Sequence, residues 1–402
     1  MTGRQRILAA LNHREPDRVP VDFGGHRSSG IAALAYSKLR QYLELPPKLP
    51  KVYDLVQQLA IIDQDVLDRF GVDTTELGRG FALEDNDWVE WRLPDNTPCL
   101  VPAWSVPQRE PNRWILRSKS GRIIGHMPDG ALYFEQTFYP YLDSDTSLPL
   151  KEALQECMWG AVSAPPGPVS DERMKAGAAA LRQKSDAAII GLFGGNLLET
   201  GQFLFRNDQF FMLLAAEPKR AHAFLDELVH YHMTHLDHFL DLVGDHTDII
   251  LFGDDLGMQN GPQISPAMYR EFFKPRHQLM WQHCKKRADI KVMLHCCGGV
   301  RDLLPDLIDA GLDAINPVQI SCTGMDAAGL KAEFGQDITF WGGGCDTHAI
   351  LPMGTPEEIA EHVKKQVRIL HPGGGFVFQQ VHNIVANVPP QNIVAMFDAV
   401  RE

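Results

Sequence analysis

From about residue 150 onward, short apolar runs alternate with longer segments in which apolar residues recur every three or four positions. The short runs predict buried strands, and the longer segments predict amphipathic helices. Apolar strands that alternate with helices indicate repeated βα units and a parallel sheet covered on both faces. The six runs are AAIIGLFGG (187–195), TDIILFGDD (247–255), IKVMLHCCGG (290–299), DAINPVQI (313–320), ITFWGGG (338–344) and GGFVFQQV (374–381).

Two further runs lie in the first part of the chain, RVPVDFGG (18–25) and the weaker VDTTE (72–76). Eight strands with intervening helices predict an α/β fold of the (β/α)8 TIM-barrel type, with a doubly wound open sheet as the alternative. The chain has no G-x-G-x-x-G segment after its first strand and no P-loop, so the nucleotide-binding form of the open sheet lacks support.

The stretch from about 88 to 140 has a different character, because it is rich in Trp, Pro, Asn and Gly and carries turn signals between short alternating runs. This pattern predicts an inserted antiparallel β element. We therefore expect one domain over residues 1–402, with a β-rich insertion at about 88–140. Helix starts are predicted at Thr2, as an N-cap, and at Ser265 followed by Pro266.

Composition excludes several classes of function. The formal net charge of −13 makes a broad phosphate-binding surface and a nucleic-acid partner poor expectations. No apolar run approaches the roughly 20 residues of a membrane helix, and the N-terminus does not resemble a secretory signal. Seven cysteines, odd in number and unevenly spaced, favour a reducing compartment, so a cytoplasmic location is expected. Clustered thiols are then interpreted as metal-binding or catalytic.

The segment KVMLHCCGGV (291–300) carries the sharpest chemical signal. Side chains of a strand alternate between its faces, so His295 and Cys297 should share one face while Cys296 points to the other. A catalytic zinc site needs three protein ligands and an open position. Cys345, in FWGGGCDTH after a later strand, is the predicted third ligand, and His382 and His348 are weaker competitors. The alternative interpretation is that these side chains only pack or form hydrogen bonds.

Other polar residues also follow the predicted strands, where TIM barrels place their chemistry. Asp254 and Asp255 end one strand, and because Ser265 supplies the next helix cap, one of the two carboxylates is predicted to act on substrate or to orient a ligand. The predicted catalytic residues are Asp254, Asp255 and Glu199, and the predicted substrate-binding residues are Asn196, Gln319, His26, Arg27 and His382. Each of the loop residues could equally form a turn or face solvent.

Taken in order along nearly the whole chain, several segments resemble the uroporphyrinogen decarboxylase superfamily, and specifically its cobalamin-dependent methyltransferase branch. They are RILAALNHREPDRVPVDFGG, ISPAMYREFFKP, HCCGGVRDLLPDLIDAGLDAINPVQ, GTPEEIAEHVKK and VPPQNIVAMFDAV. The resemblance implies that His295 and Cys297 are a zinc pair. The sequence departs from the decarboxylases in DFGGHRSSG, which offers only Arg27 to bind a polycarboxylate substrate. It departs from the coenzyme M methyltransferases in QQVHNIVANVPP, which lacks the cysteine that they carry late in the chain.

The resemblance implies two cofactors, Zn²⁺ and a cobalamin presented by a separate corrinoid carrier protein. The small-molecule partner would be a methoxy-aromatic, a methylamine, a thiol or tetrahydrofolate, and a homodimer is left open. Zinc would act on a bound heteroatom while the methyl group moves to or from cobalt. Two competing functions are a decarboxylase of a pyrrolic or aromatic acid and a non-catalytic barrel that binds a tetrapyrrole or corrinoid.

Overall fold

A parallel sheet of seven strands organises the protein. The structure is a computed structural model that describes residues 1–82, 84–143, 148–162 and 169–402. Each strand pairs in parallel with its neighbours in chain order. The strands are β1 (Thr74–Glu76), β2 (Ala188–Gly194), β3 (Ile249–Gly253), β4 (Lys291–His295), β5 (Ala314–Asn316), β6 (Thr339–Trp341) and β7 (Phe376–Val377).

The segment around Val21 closes this sheet. Val21 forms a parallel bridge with Phe378, just beyond β7, and on its other side its carbonyl accepts the N–H of Asp73, just before β1, at 2.8 Å. The opening segment thus lies between the first and last strands and completes a ring of eight. The predicted TIM barrel is confirmed, and all eight predicted runs contribute to it.

Helices surround the barrel and lie between most of its strands. The one that begins at Gly3 has the predicted cap, since the Thr2 side chain accepts the N–H of Gln5. The Ser265 side chain likewise accepts the N–H of Met268, and a π-helical turn, Tyr269–Phe273, follows. The α-helices are Gly3–Leu11, Ala33–Tyr42, Gln64–Phe70, Pro140–Asp143, Leu150–Glu156, Met158–Val162, Asp171–Lys184, Leu198–Phe205, Asn207–Ala216, Pro218–Val243, Pro266–Met268, Lys274–Arg287, Leu304–Asp309, Ala327–Phe334, Ile350–Met353, Pro356–Leu370 and Pro390–Ala399.

The insertion is antiparallel, as predicted. Its first pair is Trp88–Arg92 with Pro98–Pro102, and a four-stranded sheet follows. It is joined to the barrel side through a bridge between Lys51 and Leu100. The four strands are Gln108–Glu110, Arg113–Arg117, Ile123–Pro128 and Glu135–Gln136; short pairs also form between Val52–Asp54 and Leu59–Ala60 and between Gly257–Met258 and Gly261–Pro262.

The buried apolar side chains form an inner and an outer layer. Met293 and Trp341 belong to the inner cluster, which fills the barrel. Val292 and Leu294 belong to the outer cluster, between the sheet and its helices. Strand β4 therefore alternates as its sequence predicts, which sets the direction of His295. Within the described residues, no helix is both long enough and apolar enough to cross a membrane.

Candidate metal centre

Three side chains at the C-terminal end of the barrel form a group suited to a metal ion. One ligand atom from each of His295, Cys297 and His382 lies within 4.8 Å of the other two. The Cys297 Sγ is 3.4 Å from His295 Nε2, and the two imidazole rings are 5.5 Å apart between centroids. All three side chains are partly exposed, so an ion bound between them would be accessible to a small ligand.

Local sequence explains how His295 and Cys297 come to the same side. His295 is the last residue of β4, and the Cys297 N–H donates to Asp255 Oδ1 at 2.7 Å, which ties it to the end of β3. Gly298 follows with a φ of 89°, and a Cβ there would collide with the backbone of Gly257. Glycine is therefore required to turn the chain directly after His295 and Cys297.

Hydrogen bonds orient both imidazoles. Asn316 Nδ2 donates to the Trp341 carbonyl and to Gln379, so its oxygen faces His295 Nδ1 at 2.8 Å. His295 must then donate from Nδ1 and keep the lone pair on Nε2, the atom that faces Cys297. This arrangement of an amide oxygen behind a ligating histidine is the usual means of holding its tautomer and ring orientation.

His382 is held in a similar way. Its Nδ1 lies 3.0 Å from Asn383 Oδ1, and Asn383 Nδ2 donates to Gln57 Oε1 at 2.6 Å, which assigns the amide oxygen to the histidine side. The ring therefore donates from Nδ1 and keeps its Nε2 lone pair. Two imidazole nitrogens and one sulfur are thus available at one place.

The electrostatics of the group suit a cation. Burial, with Asp255 and Cys296 nearby, raises the pKa of the Cys297 thiol well above its ordinary value. Burial, together with His295, lowers the pKa of His382 to about 4, so this imidazole is neutral at neutral pH. Neutral imidazole and thiolate are the ligands that Zn²⁺ prefers, and three of them with an open position form a catalytic site. The residues present therefore fit zinc.

Two acidic side chains, Asp255 and Glu199, lie near this group. Asp255 Oδ1 is 3.8 Å from His295 Nε2. Glu199 accepts a hydrogen bond from Asn196 at 2.5 Å, and burial with Asp255 and Asp254 nearby raises its pKa well above the ordinary value. Protonation of Glu199 is therefore favoured relative to a free carboxyl group.

Asp254 lies in a different environment from Asp255. It is fully buried, and its two oxygens accept the N–H groups of Leu198 and Glu199 at 3.0 and 2.9 Å. His277 Nε2 lies 3.3 Å from the same carboxylate. Asp254 thus holds the N-terminus of the helix that carries Glu199, while Asp255 is the carboxylate that reaches the metal-binding group.

The structure does not bring Cys345, the predicted third ligand, into this group. Cys345 is fully buried among the outer-layer side chains, and burial raises its pKa. Gly342 and Gly343 have φ values of 115° and 74°, so the strand alternation that would have turned Cys345 inward ends after Trp341. His348 is exposed and also lies outside the group. His382, which the sequence analysis ranked below Cys345, lies with His295 and Cys297 instead.

The remaining predicted residues lie on the same face. His26 Nε2 is 3.1 Å from both Asp22 and Gln379, so it donates toward them. Arg27 Nε is 3.2 Å from Asp54, and Gln319 accepts the Gly298 N–H at 3.0 Å. The buried Ser28 hydroxyl lies 3.2 Å from His26 Nδ1 and donates to Asn316 at 2.7 Å. A buried polar network therefore joins His26 to the residue that orients His295.

The sequence analysis did not select three residues that shape this centre, Asn316, Asn383 and Gln379. Asn316 is the last residue of β5, so its position at a strand end was a usable signal. Gln379 and Asn383 follow the two-residue strand β7, as His382 does. Their functions depend on partners far away in the chain, which strand position alone does not reveal.

Comparisons with known proteins agree with this architecture. The family model described as Uroporphyrinogen decarboxylase (URO-D) matches residues 177–402, more than half of the chain. No curated protein shows a significant match. Among solved structures, a methyltransferase from Methanosarcina mazei aligns over 100% of this chain and 98% of its own, with a TM-score of 0.60 and 17% identity. At that identity the likeness establishes only the fold. With its family-model match, the chain belongs to the uroporphyrinogen decarboxylase family.

Proposed function

We propose that this protein is a zinc-dependent methyltransferase that moves a methyl group between a small molecule and a corrinoid carried by a partner protein. The observation that carries the proposal is the group of His295, Cys297 and His382 at the C-terminal end of the barrel. Chemistry in this fold takes place at that end. The structural similarity to a methyltransferase from Methanosarcina mazei supports the same activity.

In this proposal His295, Cys297 and His382 would hold the zinc ion. When bound, zinc supplies Lewis acidity that stabilises negative charge on the heteroatom of the methyl donor or acceptor. Asn316 and Asn383 keep the two imidazoles in the tautomer that ligates through Nε2. Thiolate and imidazole ligands favour zinc over the oxygen-preferring Mg²⁺ and Ca²⁺.

Two acidic residues position the reacting groups. Asp255 accepts the Cys297 N–H and so holds the ligand segment against the end of β3. Glu199, with its raised pKa, donates a hydrogen bond to the heteroatom that carries the methyl group or receives it. A donor at this place stabilises the charge that develops as the bond breaks.

Methyl transfer balances without an added oxidant or reductant. From a methyl donor, the bond between the methyl carbon and the heteroatom breaks, and the electron pair remains with the heteroatom, which then takes a proton. The methyl group passes to the cobalt(I) of the corrinoid, which supplies the electron pair of the new bond. The barrel mouth is open at the metal-binding group, where all three ligands are partly exposed.

The test is an assay of methyl transfer by the zinc-loaded protein. The readout is the absorbance change that accompanies conversion between cobalt(I) cobalamin and methyl-cobalamin. Methoxy-aromatics, methylamines, thiols and tetrahydrofolate are supplied in turn. Cys297→Ala should lower the rate by more than a factor of about 100, because the metal is lost. Cys296→Ala is the matched control, since this neighbouring thiol points into the outer core and should retain the parent rate.

Two outcomes would overturn the proposal. One is the absence of cobalamin-dependent turnover with every substrate class and a range of corrinoid carriers. The other is release of coproporphyrinogen from uroporphyrinogen III in an anaerobic assay, which would make the protein a decarboxylase.

A further inference from the structure

A chain of buried polar side chains joins the opening segment of the barrel to the strand ends of β5 and β7. Each of these side chains belongs to a residue that is at most 3% exposed, so they must satisfy one another's hydrogen bonds. The hydrogens can therefore be assigned one bond at a time from donors and acceptors whose roles are fixed. The members of the chain are Asp22, His26, Ser28, Asn316 and Gln379.

The two amide side chains are assigned first, because each contacts a backbone carbonyl. Asn316 Nδ2 donates to the Trp341 carbonyl at 2.9 Å, and Gln379 Nε2 donates to the Ser28 carbonyl at 3.1 Å. A carbonyl only accepts, so the other polar atom of each amide is its oxygen. The oxygen of Asn316 therefore faces the Ser28 hydroxyl at 2.7 Å. The oxygen of Gln379 faces His26 Nε2 at 3.1 Å.

The Ser28 hydroxyl has a single hydrogen to donate. Two oxygens 2.7 Å apart need a hydrogen between them, and Asn316 Oδ1 has none, so Ser28 donates to Asn316. That hydrogen is then not available to His26 Nδ1, which lies 3.2 Å from the same hydroxyl oxygen. This second contact is a hydrogen bond only if His26 Nδ1 is the donor. His26 Nδ1 therefore carries a hydrogen.

The other ring nitrogen of His26 must donate as well. Asp22 Oδ2 and Gln379 Oε1 both lie 3.1 Å from His26 Nε2. A carboxylate and an amide oxygen only accept, so Nε2 also carries a hydrogen. With a hydrogen on each nitrogen, the ring is a cation.

The surroundings of Asp22 favour the carboxylate that this cation needs. Two N–H groups that can only donate meet its two oxygens, Gly25 N at Oδ1 and Trp341 Nε1 at Oδ2, at 3.0 and 2.8 Å. The Thr74 hydroxyl adds a bond of 2.6 Å to Oδ1. Burial alone would raise the pKa of Asp22, but His26 and these hydrogen bonds lower it below the ordinary value. A buried ion pair is favourable only when hydrogen bonds satisfy its remaining atoms, which is the case here.

We propose that His26 is a buried imidazolium, paired with the Asp22 carboxylate, and a positioning residue for the metal-binding group. By donating to Ser28, His26 holds the hydroxyl so that its hydrogen points at Asn316 Oδ1. The same oxygen accepts the Nδ1 hydrogen of His295 at 2.8 Å, so it is held by two donors. The positioning role rests on the proposed zinc site, whereas the protonation of His26 does not.

Neutron diffraction tests the protonation directly, because it locates deuterium atoms. The sample is the perdeuterated full chain, crystallised without metal at neutral pH. We expect deuterium on both ring nitrogens of His26 and a Ser28 hydroxyl that points at Asn316 Oδ1. Deuterium on only one nitrogen of His26, or a Ser28 hydroxyl that points at His26, would overturn the inference. This measurement needs no variant, so it does not depend on the folding of a mutant.

Zinc affinity, measured by competition with a chelator, tests the positioning role. Ser28→Ala removes one of the two donors to Asn316 Oδ1 and should weaken zinc binding about three- to tenfold. The loss should be smaller than that of a direct partner of the ligand, because Trp341 and Gln379 still hold the amide. Ser37→Ala is the matched control, since the Ser37 hydroxyl is buried without a hydrogen-bond partner among the described residues, and it should stay within about twofold of the parent. Unchanged affinity in folded Ser28→Ala contradicts the positioning role.

The absorption spectrum of cobalt(II)-loaded protein separates positioning from a merely structural role. Cobalt(II) can replace zinc at a site of imidazole and thiolate ligands, and its visible bands depend on the ligand geometry. Ser28→Ala should shift these bands because the orientation of His295 changes, and Ser37→Ala should not. Weaker metal binding by Ser28→Ala with a parent-like spectrum would overturn the positioning role.

Protonation and turnover separate this inference from the proposed function. If His26 carries two deuterium atoms and the zinc-loaded protein transfers no methyl group, the assignment of His26 stands and the methyltransferase proposal fails. If methyl transfer occurs and His26 carries only one, the activity stands and this inference fails.

Discussion

The two neighbouring aspartates at the end of β3 should behave very differently when they are replaced. Asp254 accepts the buried N–H of Leu198 and the partly buried N–H of Glu199, and His277 lies beside it. Asp255 accepts one N–H, that of Cys297. We therefore expect Asp254→Ala to cost mainly stability, and Asp255→Ala to cost mainly activity.

The magnitude follows from the groups left unpaired. A buried N–H without an acceptor costs about 1–3 kcal/mol and a partly buried one about 1 kcal/mol, so Asp254→Ala should lower the free energy of unfolding by about 2–4 kcal/mol. Asp254→Asn keeps one acceptor oxygen and should cost about half as much. Asp255→Ala, which leaves one partly exposed donor unpaired, should cost about 1 kcal/mol.

Urea unfolding monitored by circular dichroism measures the change in the free energy of unfolding. The rate of methyl transfer by the folded variants measures the change in activity. Asp255→Ala should slow transfer more than about tenfold, which corresponds to about 1.4 kcal/mol of barrier. The reasoning is refuted if Asp254→Ala and Asp254→Asn both stay within about 1 kcal/mol of the parent. It is equally refuted if Asp255→Ala destabilises the fold as much as Asp254→Ala does.

Two further predictions concern metal binding. Asn316→Ala removes the acceptor behind His295 and should weaken zinc binding by about 10–100-fold, measured by competition with a chelator; unchanged affinity would remove Asn316 from the site. The raised pKa of Cys297 keeps its thiol protonated when no metal is bound, so zinc binding must release one proton. The affinity for zinc should therefore rise about tenfold for each pH unit between about 6 and 8. His382, with a pKa of about 4, stays neutral over that range and adds no proton release of its own, and a flat profile would contradict the assignment of Cys297 as a ligand.

The sequence could predict the barrel because strand pattern and chain order are local properties. Apolar runs marked all eight strand positions, and the weakest of them, VDTTE, contains β1. The alternation also predicted that His295 and Cys297 lie on the same side, and they do, although β4 ends at His295 and Cys297 is held by its hydrogen bond to Asp255. Cys296 packs in the outer core, as that alternation predicts.

The position of His382 beside His295 and Cys297 could not be predicted in the same way. The prediction of Cys345 assumed that alternation continues beyond β6, but Gly342 and Gly343 take positive φ values and end it. His382 lies five residues past the end of the short strand β7 (Phe376–Val377), so no regular pattern predicts where its ring points. Its place beside His295 depends on barrel closure, which is a long-range property.

The roles of the buried amide side chains could not be predicted either, because they also depend on long-range contacts. Asn316 orients His295 only because Trp341 and Gln379 fix its own amide from the neighbouring strands. The sequence shows a polar residue at a strand end but not which groups will face it. Likewise, Asp254 and Asp255 are adjacent in the chain and were considered together, although one lies at a buried helix terminus and the other beside the metal-binding group.

The zinc content of purified protein, measured per chain by elemental analysis, tests the central claim most directly. The parent and Cys345→Ala should each hold about one zinc ion per chain, because Cys345 lies outside the group. His382→Ala should lose most of it, since only His295 and Cys297 remain as ligands. Full zinc in His382→Ala together with loss in Cys345→Ala, or a zinc-free parent after loading with the ion, would contradict the account.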